Sequence, residues 1–253
     1  MLSVSELTVR FGGHVAVNSV TCNFAPGTLT AIVGPNGAGK TTFFNLISGQ
    51  LKATAGQVFL EGKELSAKPP SARTKAGLGR AFQLTNLFPR LSVLENVRLA
   101  VQALHGRPAG GFNLWSVWRD HEELTAVAEQ VLVAVGLSNR SGTMAASLSH
   151  GDQRKLEVGM LIAIDPRVYM FDEPTAGMNA EEVPAILDLI LKLKDDRSKT
   201  ILLVEHKMDV VRQLADRIIV LHNGSLVADG TPAQVIALPV VQEAYLGMAR
   251  NTS

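Results

Sequence analysis

Two short stretches of this 253-residue sequence carry the residue types that phosphate chemistry needs. The first, Gly34-Pro35-Asn36-Gly37-Ala38-Gly39-Lys40-Thr41, has the form G-x-x-x-x-G-K-[ST] and runs on into Thr42. Glycines at this spacing let a loop close around an anion with its backbone N–H groups pointing inward, and a helix starting at the lysine adds the positive end of its dipole. Lys40 would then reach the β- and γ-phosphates of a nucleoside triphosphate, the Thr41 hydroxyl would ligate Mg²⁺, and Thr42 joins the same binding loop. The second stretch, Arg167 to Glu173, is an apolar run ending in two adjacent acids. Asp172 would hold Mg²⁺ through water, and Glu173 would polarise an attacking water. Taken alone, that acidic pair would also suit a strand that merely ends in solvent.

These residues work only if strands and helices bring them to one end of a sheet. Thr28 to Val33 is a short apolar strand leading into the glycine loop, and a helical pattern runs from Lys40 to near Gly49. Strands at Arg167 to Phe171, Thr200 to Glu205 and Arg217 to His222 alternate with helices at about 180 to 194 and 208 to 215. Near-continuous apolar strands of this kind form parallel sheets covered on both faces, which bind ligands beyond their C-terminal ends. At the N-terminus, Leu2 to Phe11 and Val15 to Phe24 alternate apolar and polar around Gly12-Gly13, an antiparallel pair. Gly56 to Leu60 is a further strand, closed by Glu61-Gly62.

From Gln83 to His150 the pattern turns helical. Ser92 and Glu95 have capping-box spacing, and Leu124, Val127, Ala128, Val131, Leu132 and Val135 form one stripe before Gly136. Asn223-Gly224 predicts a hairpin to Ser225 to Asp229, and Thr231-Pro232-Ala233-Gln234 caps a last helix. The expected fold is α/β, a P-loop NTPase (RecA-like) core with an N-terminal antiparallel β subdomain and an inserted α-helical subdomain. The expected division is 1–82 for the β subdomain and the loop half of the core, 83–155 for the helical subdomain, 156–230 for the second half of the core, and 231–253 for a C-terminal helix and tail.

Composition narrows the classes. With 46% hydrophobic and 19% charged residues, disorder and coiled coil are excluded, and a net charge of +1 without long one-sign blocks argues against a nucleic-acid partner. No apolar run approaches the roughly 18 residues of a membrane span. A single cysteine, Cys22, excludes an intrachain disulfide, and MLSVSELTVR lacks the order of a signal peptide, so a reduced cytoplasm is expected.

Leu148-Ser149-His150-Gly151-Asp152-Gln153 resembles the signature motif of the nucleotide-binding subunits of ATP-binding cassette (ABC) transporters, and the resemblance extends from about residue 2 to residue 247. Its physics is legible: Ser149 can cap a helix, Gly151 leaves backbone N–H groups accessible, and Leu156, Gly159, Met160 and Ala163 form the stripe behind them. The resemblance implies that two chains pair head to tail, each ATP lying between Lys40 of one and Ser149 with Gly151 of the other. It further implies that Gln83 touches Mg²⁺ and the water, that His206 contacts the γ-phosphate, and that Phe11 stacks on adenine. His150 and Asp152 depart from the commonest LSGGQ form. Asp152 places an anion near a phosphate, although it is also a good residue for a helix's first turn. Gly177-Met178-Asn179 stands where the family usually has a loop ending in Asp; Asn179 with Glu182 also makes a helix cap, against which Pro184 counts by lying one turn inside the helix.

The segments FQLTNLFPRLSVLENV, LSHGDQRKLEVGML and EPTAGMN, with the ending Gln242 to Gly247, look most like the branched-chain or hydrophobic amino-acid uptake branch. Urea and short-amide importers and lipopolysaccharide exporters look nearly the same. A soluble cassette ATPase is the alternative from another class, but those usually carry long coiled-coil insertions or two cassettes in one chain, and this sequence shows neither. The resemblance implies membrane permease partners, a second copy or a paralogous ATPase subunit, a periplasmic binding protein acting indirectly, and a place at the cytoplasmic face of the inner membrane. Leu87-Phe88-Pro89 reads as exposed apolar surface for the permease. The insertion from His105 to Asp120, with Trp115 and Trp118, suits either a docking edge or local packing.

Overall fold

Alternating sequence at the N-terminus folds as expected into β1 (Leu2–Phe11) and β2 (His14–Phe24), antiparallel, with Phe11 opposite His14 across the Gly12-Gly13 turn. The computed structural model describes residues 1–81, 87–105, 114–239 and 241–242, and the side chains of all of these except 104–105 and 114–121. After β2 the order is β3 (Leu29–Val33), α1 (Lys40–Ser48), β4 (Ala55–Leu60), β5 (Lys63–Glu64), α2 (Pro70–Lys75), β6 (Leu78–Ala81), α3 (Val93–His105), α4 (Leu114–Ala134) and α5 (His150–Ile164). There follow β7 (Val168–Asp172), α6 (Val183–Asp195), β8 (Thr200–Val204), α7 (Met208–Leu214), β9 (Arg217–His222), β10 (Ser225–Gly230) and α8 (Pro232–Ile236).

These elements pack as two compact units. One comprises residues 1–80, 167–173 and those from 190 on; the other comprises 81–166 and 174–189. The first unit holds two sheets, ordered β2-β1-β4-β5 and β10-β9-β3-β8-β7-β6. In the larger sheet β3 pairs in parallel with both β8 and β9, and β7 pairs in parallel with β8, so β3 delivers the glycine loop from a central position. Its strands β3, β7 and β8 are buried along their whole length, the requirement that made their sequences continuously apolar. Phe43, Phe44, Leu46 and Ile47 of α1 pack into a core with Leu2, Phe24, Ile32, Met170 and Leu202. Each such side chain contributes roughly 1.5–3 kcal/mol of burial.

Arg73 fastens the far end of α1. Its guanidinium donates to the carbonyls of Leu46 (2.8 Å), Ile47 (2.6 Å), Ser66 (2.9 Å) and Lys68 (3.0 Å), supplying acceptors at a helix C-terminus with the donors they lack. The last helix carries the expected capping box, with the Thr231 hydroxyl and Gln234 side chain bonded reciprocally.

The second unit is helical. Ser92 Oγ accepts from the Glu95 N–H at 3.1 Å, so the expected cap forms at the start of α3, while the Glu95 carboxylate is taken by Arg98 at 2.8 Å. Buried Asn96 clamps the preceding loop: its Oδ1 accepts from the Phe88 N–H at 2.7 Å and its Nδ2 donates to the Phe88 carbonyl at 3.1 Å. Gly159 lets α5 approach α4 closely, since a Cβ there would meet Val131 and Val135 methyls at 3.4 Å.

Three expectations need correction. Val127 is 40% exposed, because the inward stripe of α4 is narrower than its apolar spacing implied and is carried by Ala128, Val131 and Leu132, with buried Val135 just beyond the helix end. α6 begins at Val183, not near Ala180, so Pro184 lies in the first turn, where its missing N–H costs nothing. Behind the Ser149 cap, Leu156, Gly159 and Ala163 are buried but Met160 only partly so. The side chains of Trp115 and Trp118, and the ending from residue 243, lie outside the described residues. Among the described residues no helix is long and apolar enough to cross a membrane.

Candidate functional site

The glycine loop joins the C-terminal end of β3 to α1, as its sequence demands. Gly34 is required by close approach: a Cβ there would lie 2.2 Å from the Leu221 carbonyl oxygen at the end of β9. Asn36, Gly37 and Thr41 are exposed, Pro35, Gly39 and Thr42 are partly so, and Ala38 is buried. Lys40, the first residue of α1, is buried and turns its ammonium back onto the loop, donating to the carbonyls of Gly34 (2.8 Å) and Pro35 (3.0 Å). Burial pulls the Lys40 pKa below the ordinary lysine value, and the negative charges of Glu173 and Asp172 oppose that shift. The loop's cation and the two acids of the second motif therefore share one electrostatic site.

β7 ends with Asp172 fully buried. Its Oδ2 accepts from Arg80 Nη2 at 2.7 Å, whereas Oδ1 is buried with no hydrogen-bond partner among the described residues. A buried carboxylate oxygen left in that condition is costly unless something polar reaches it. It fits a hydrated Mg²⁺, which prefers one or two carboxylates together with substrate phosphates to an all-protein cage. Among the described residues no group of three His, Cys, Asp or Glu side chains converges.

Glu173 adopts the left-handed conformation, φ 50°, with its N–H bonded to the Val204 carbonyl at 2.9 Å. A non-glycine residue held there carries local strain, a common feature of working sites. Its Oε1 lies 3.8 Å from His206 Nδ1. Glu205, fully buried, underpins the same histidine by accepting from the N–H groups of His206 (2.9 Å) and Lys207 (3.1 Å). Phe11 sits beside the hairpin tip of β1 and β2, 51% exposed, with a free face for a flat ring.

The first unit thus brings together Lys40, Asp172, Glu173 and His206. Gln83 lies outside the described residues. Ser149 and Gly151 belong to the second unit. There Ser149 caps α5 as expected, its Oγ accepting from the Asp152 N–H at 3.2 Å, and Ser149 and His150 are exposed. Asp152 is paired to Lys155 at 3.0 Å, which offsets its charge. A Cβ on Gly151 would come within 2.3 Å of Glu182 Oε1, and the other oxygen of that carboxylate accepts from the Asn179 N–H at 3.3 Å.

Two participants escaped the sequence reading, Arg80 and Glu205. Each had a local signal, since Arg80 is a lone cation in the run Gly77-Leu78-Gly79-Arg80-Ala81 and Glu205 directly precedes His206, but nothing in spacing says that either is buried.

Residues 17–176 match the family described as ABC transporter. The chain is 38% identical to the high-affinity branched-chain amino acid transport ATP-binding protein LivG of Escherichia coli (strain K12), covering 98% of each. It is equally 38% identical to the corresponding BraF protein of Pseudomonas aeruginosa, again over 98% of both chains. Among solved structures, the ADP conformation of MJ1267, an ATP-binding cassette of an ABC transporter, aligns with a TM-score of 0.82 at 30% identity over 98% of each chain. A dimeric post-hydrolysis structure of the cassette MJ0796 bound to ADP and Pi aligns at 0.78 and 27% identity, over 92% of this chain and 99% of that one.

Proposed function

The chain belongs to the ABC transporter family and is an ATP-binding cassette ATPase, and on that premise we propose that it powers the uptake of branched-chain amino acids. The observation that carries the reading is the end-to-end match to transport ATP-binding proteins of that specificity, on a chain whose first unit gathers Lys40, Asp172, Glu173 and His206.

Lys40 exchanges its loop carbonyls for the β- and γ-phosphates, an exchange favoured because its buried ammonium trades two neutral dipoles for full negative charge. Phe11 offers its exposed ring to the adenine. Thr41 and Asp172, with Gln83 as a third contact, would hold Mg²⁺, which when bound would supply positive charge beside the phosphate oxygens. Glu173 takes the proton of the attacking water, and His206, beside it, holds the γ-phosphate. The N-terminus of α5, with Ser149 and Gly151, serves the nucleotide of a second chain, either another copy or a paralogue, in a head-to-tail pair. Closure of the pair on two nucleotides moves membrane permeases from the cytoplasmic face of the inner membrane, and product release reopens it. A periplasmic binding protein would deliver the solute.

Two measurements test this. Glu173→Gln keeps side-chain size but loses the base, so hydrolysis should vanish while ATP drives a stable dimer on gel filtration; near-normal turnover would remove Glu173 from the catalytic role. Cells deprived of this chain should lose uptake of labelled leucine, isoleucine and valine, with restoration by the wild type and not by Lys40→Ala. Intact leucine uptake with lost urea uptake would overturn the assigned solute.

A further inference from the structure

Arg80 occupies a position that the reaction chemistry has not used. It lies on β6, its side chain is 6% exposed, and it spans two elements that each carry one proposed Mg²⁺ ligand. Toward β7 its Nη2 donates to Asp172 Oδ2 at 2.7 Å. Toward α1 its Nη1 faces Asn45 Oδ1 (2.7 Å), Ser48 Oγ (2.9 Å) and Gln50 Oε1 (3.2 Å), and its guanidinium lies 5.5 Å from the centroid of the Phe44 ring. Thr41 stands at the start of the same α1, and Asp172 at the end of β7. One planar cation therefore ties the helix of one ligand to the carboxylate of the other.

Physical reasons make this tie consequential. Burying a carboxylate as deeply as Asp172 is costly without a paired cation, and Arg80 is in direct contact with it. By engaging Oδ2, Arg80 leaves Oδ1 as the oxygen without a partner. Arginine suits the task where lysine would not, because its rigid fork reaches Asp172 from one nitrogen and the α1 side chains from the other. Second-layer hydrogen bonds of this kind orient a ligating carboxylate and tune the metal it holds.

We propose that Arg80 is a positioning residue for the Mg²⁺ site, fixing the Asp172 carboxylate and the spacing between Asp172 and Thr41 so that Mg²⁺ is held with the nucleotide. The proposed action of Arg80 runs through Asp172 and α1. The inference rests on the reading of Asp172 as a Mg²⁺-site carboxylate.

The test is binding of a fluorescent ATP analogue to the full chain, first with chelator and then across a Mg²⁺ titration, with thermal melts alongside. Arg80→Met should leave Mg²⁺-free affinity within about twofold of wild type, since Lys40 and the loop are untouched, while the Mg²⁺ midpoint rises roughly 10- to 100-fold, as outer-shell changes do. Arg80→Lys should fall between, keeping charge but not the fork. Asn45→Ala, which loosens Arg80 from α1 without touching Asp172, should give a smaller rise, and it decides the matter together with Arg80→Lys if Arg80→Met does not fold. Unchanged midpoints would overturn the proposal, and so would a parallel loss of Mg²⁺-free and Mg²⁺-dependent affinity, the signature of a purely structural role. Asp172→Asn separates the two levels. If it leaves the midpoint where it was, the assignment of Asp172 fails; if it shifts the midpoint and Arg80→Met still adds its full effect on top, Asp172 stands and Arg80 does not act through it.

Discussion

Gly34→Ala puts a methyl group where the structure has least room for one. A Cβ built on Gly34 lies 2.2 Å from the Leu221 carbonyl oxygen and 3.0 Å from the Ala38 Cβ. Carbon and oxygen rest at about 3.3 Å or more, so roughly 1 Å of overlap must be removed. Neither neighbour can give easily: Leu221 belongs to β9, which is paired with both β3 and β10, and Gly34 directly follows β3. The loop itself must move. Overpacking of this sort costs about 1–3 kcal/mol, and the φ of 155° adds about 1 kcal/mol for a residue with a side chain. The summed loss of about 2–4 kcal/mol corresponds to a fall in Tm of roughly 5–15 °C for a chain of this size. Displacing phosphate-binding N–H groups by about 1 Å should lower the rate of hydrolysis about 100-fold. Gly37→Ala is the control, because a Cβ there meets nothing within 4 Å and only its φ of 78° is unfavourable. That change should cost about 1 kcal/mol, or about 2–4 °C. Calorimetry of the two variants decides: equal melting temperatures would mean that the contact with Leu221 does not constrain the loop, and the reasoning would be wrong.

Further expectations concern the second unit. Phe88→Ser removes a ring that is 50% exposed on a loop held by Asn96 through its backbone, so stability should change by no more than about 0.5 kcal/mol. Pull-down of the permeases and transport should nonetheless weaken if Phe88 carries the docking role proposed for Leu87-Phe88-Pro89; a large drop in Tm with normal permease binding would refute that role. Ser149→Arg should abolish hydrolysis by filling the place of the other chain's γ-phosphate, while loss of the α5 cap costs only about 1 kcal/mol. In the isolated chain ATP affinity should hold within about twofold, and a fall as deep as that of Lys40→Ala would contradict a site shared between two chains.

Much of this protein could be read from sequence because its chemistry is local. The loop Gly34 to Thr42 contains within nine residues the turn, the cation and the helix start that it needs, and period-two or period-3.6 spacing named the flanking strands and helices. Caps were equally legible at Ser92, Ser149 and Thr231, since donor and acceptor lie three residues apart. The family resemblance, in turn, supplied Gln83, His206 and Phe11, whose roles no local pattern carries.

What tertiary structure decided is which distant groups share a site. Arg80 and Asp172 are separated by 92 residues, and only the placement of β6 beside β7 turns a lone arginine in a short strand into the partner of a buried carboxylate. Leu221 is far from Gly34 in sequence, yet it sets how much room that glycine has. Apolar spacing marked Val127 as core, and the packing of α4 left it in solvent, because a pattern records which faces are possible and only the neighbours decide which are covered. The same holds for Glu205, whose burial beneath His206 follows from β8 lying inside the sheet. Sequence determined the elements and the loop, whose causes lie within a few residues; the fold determined the charge balance around Asp172 and Lys40, because electrostatics depends on distance through space and on the exclusion of water, neither of which is written along the chain.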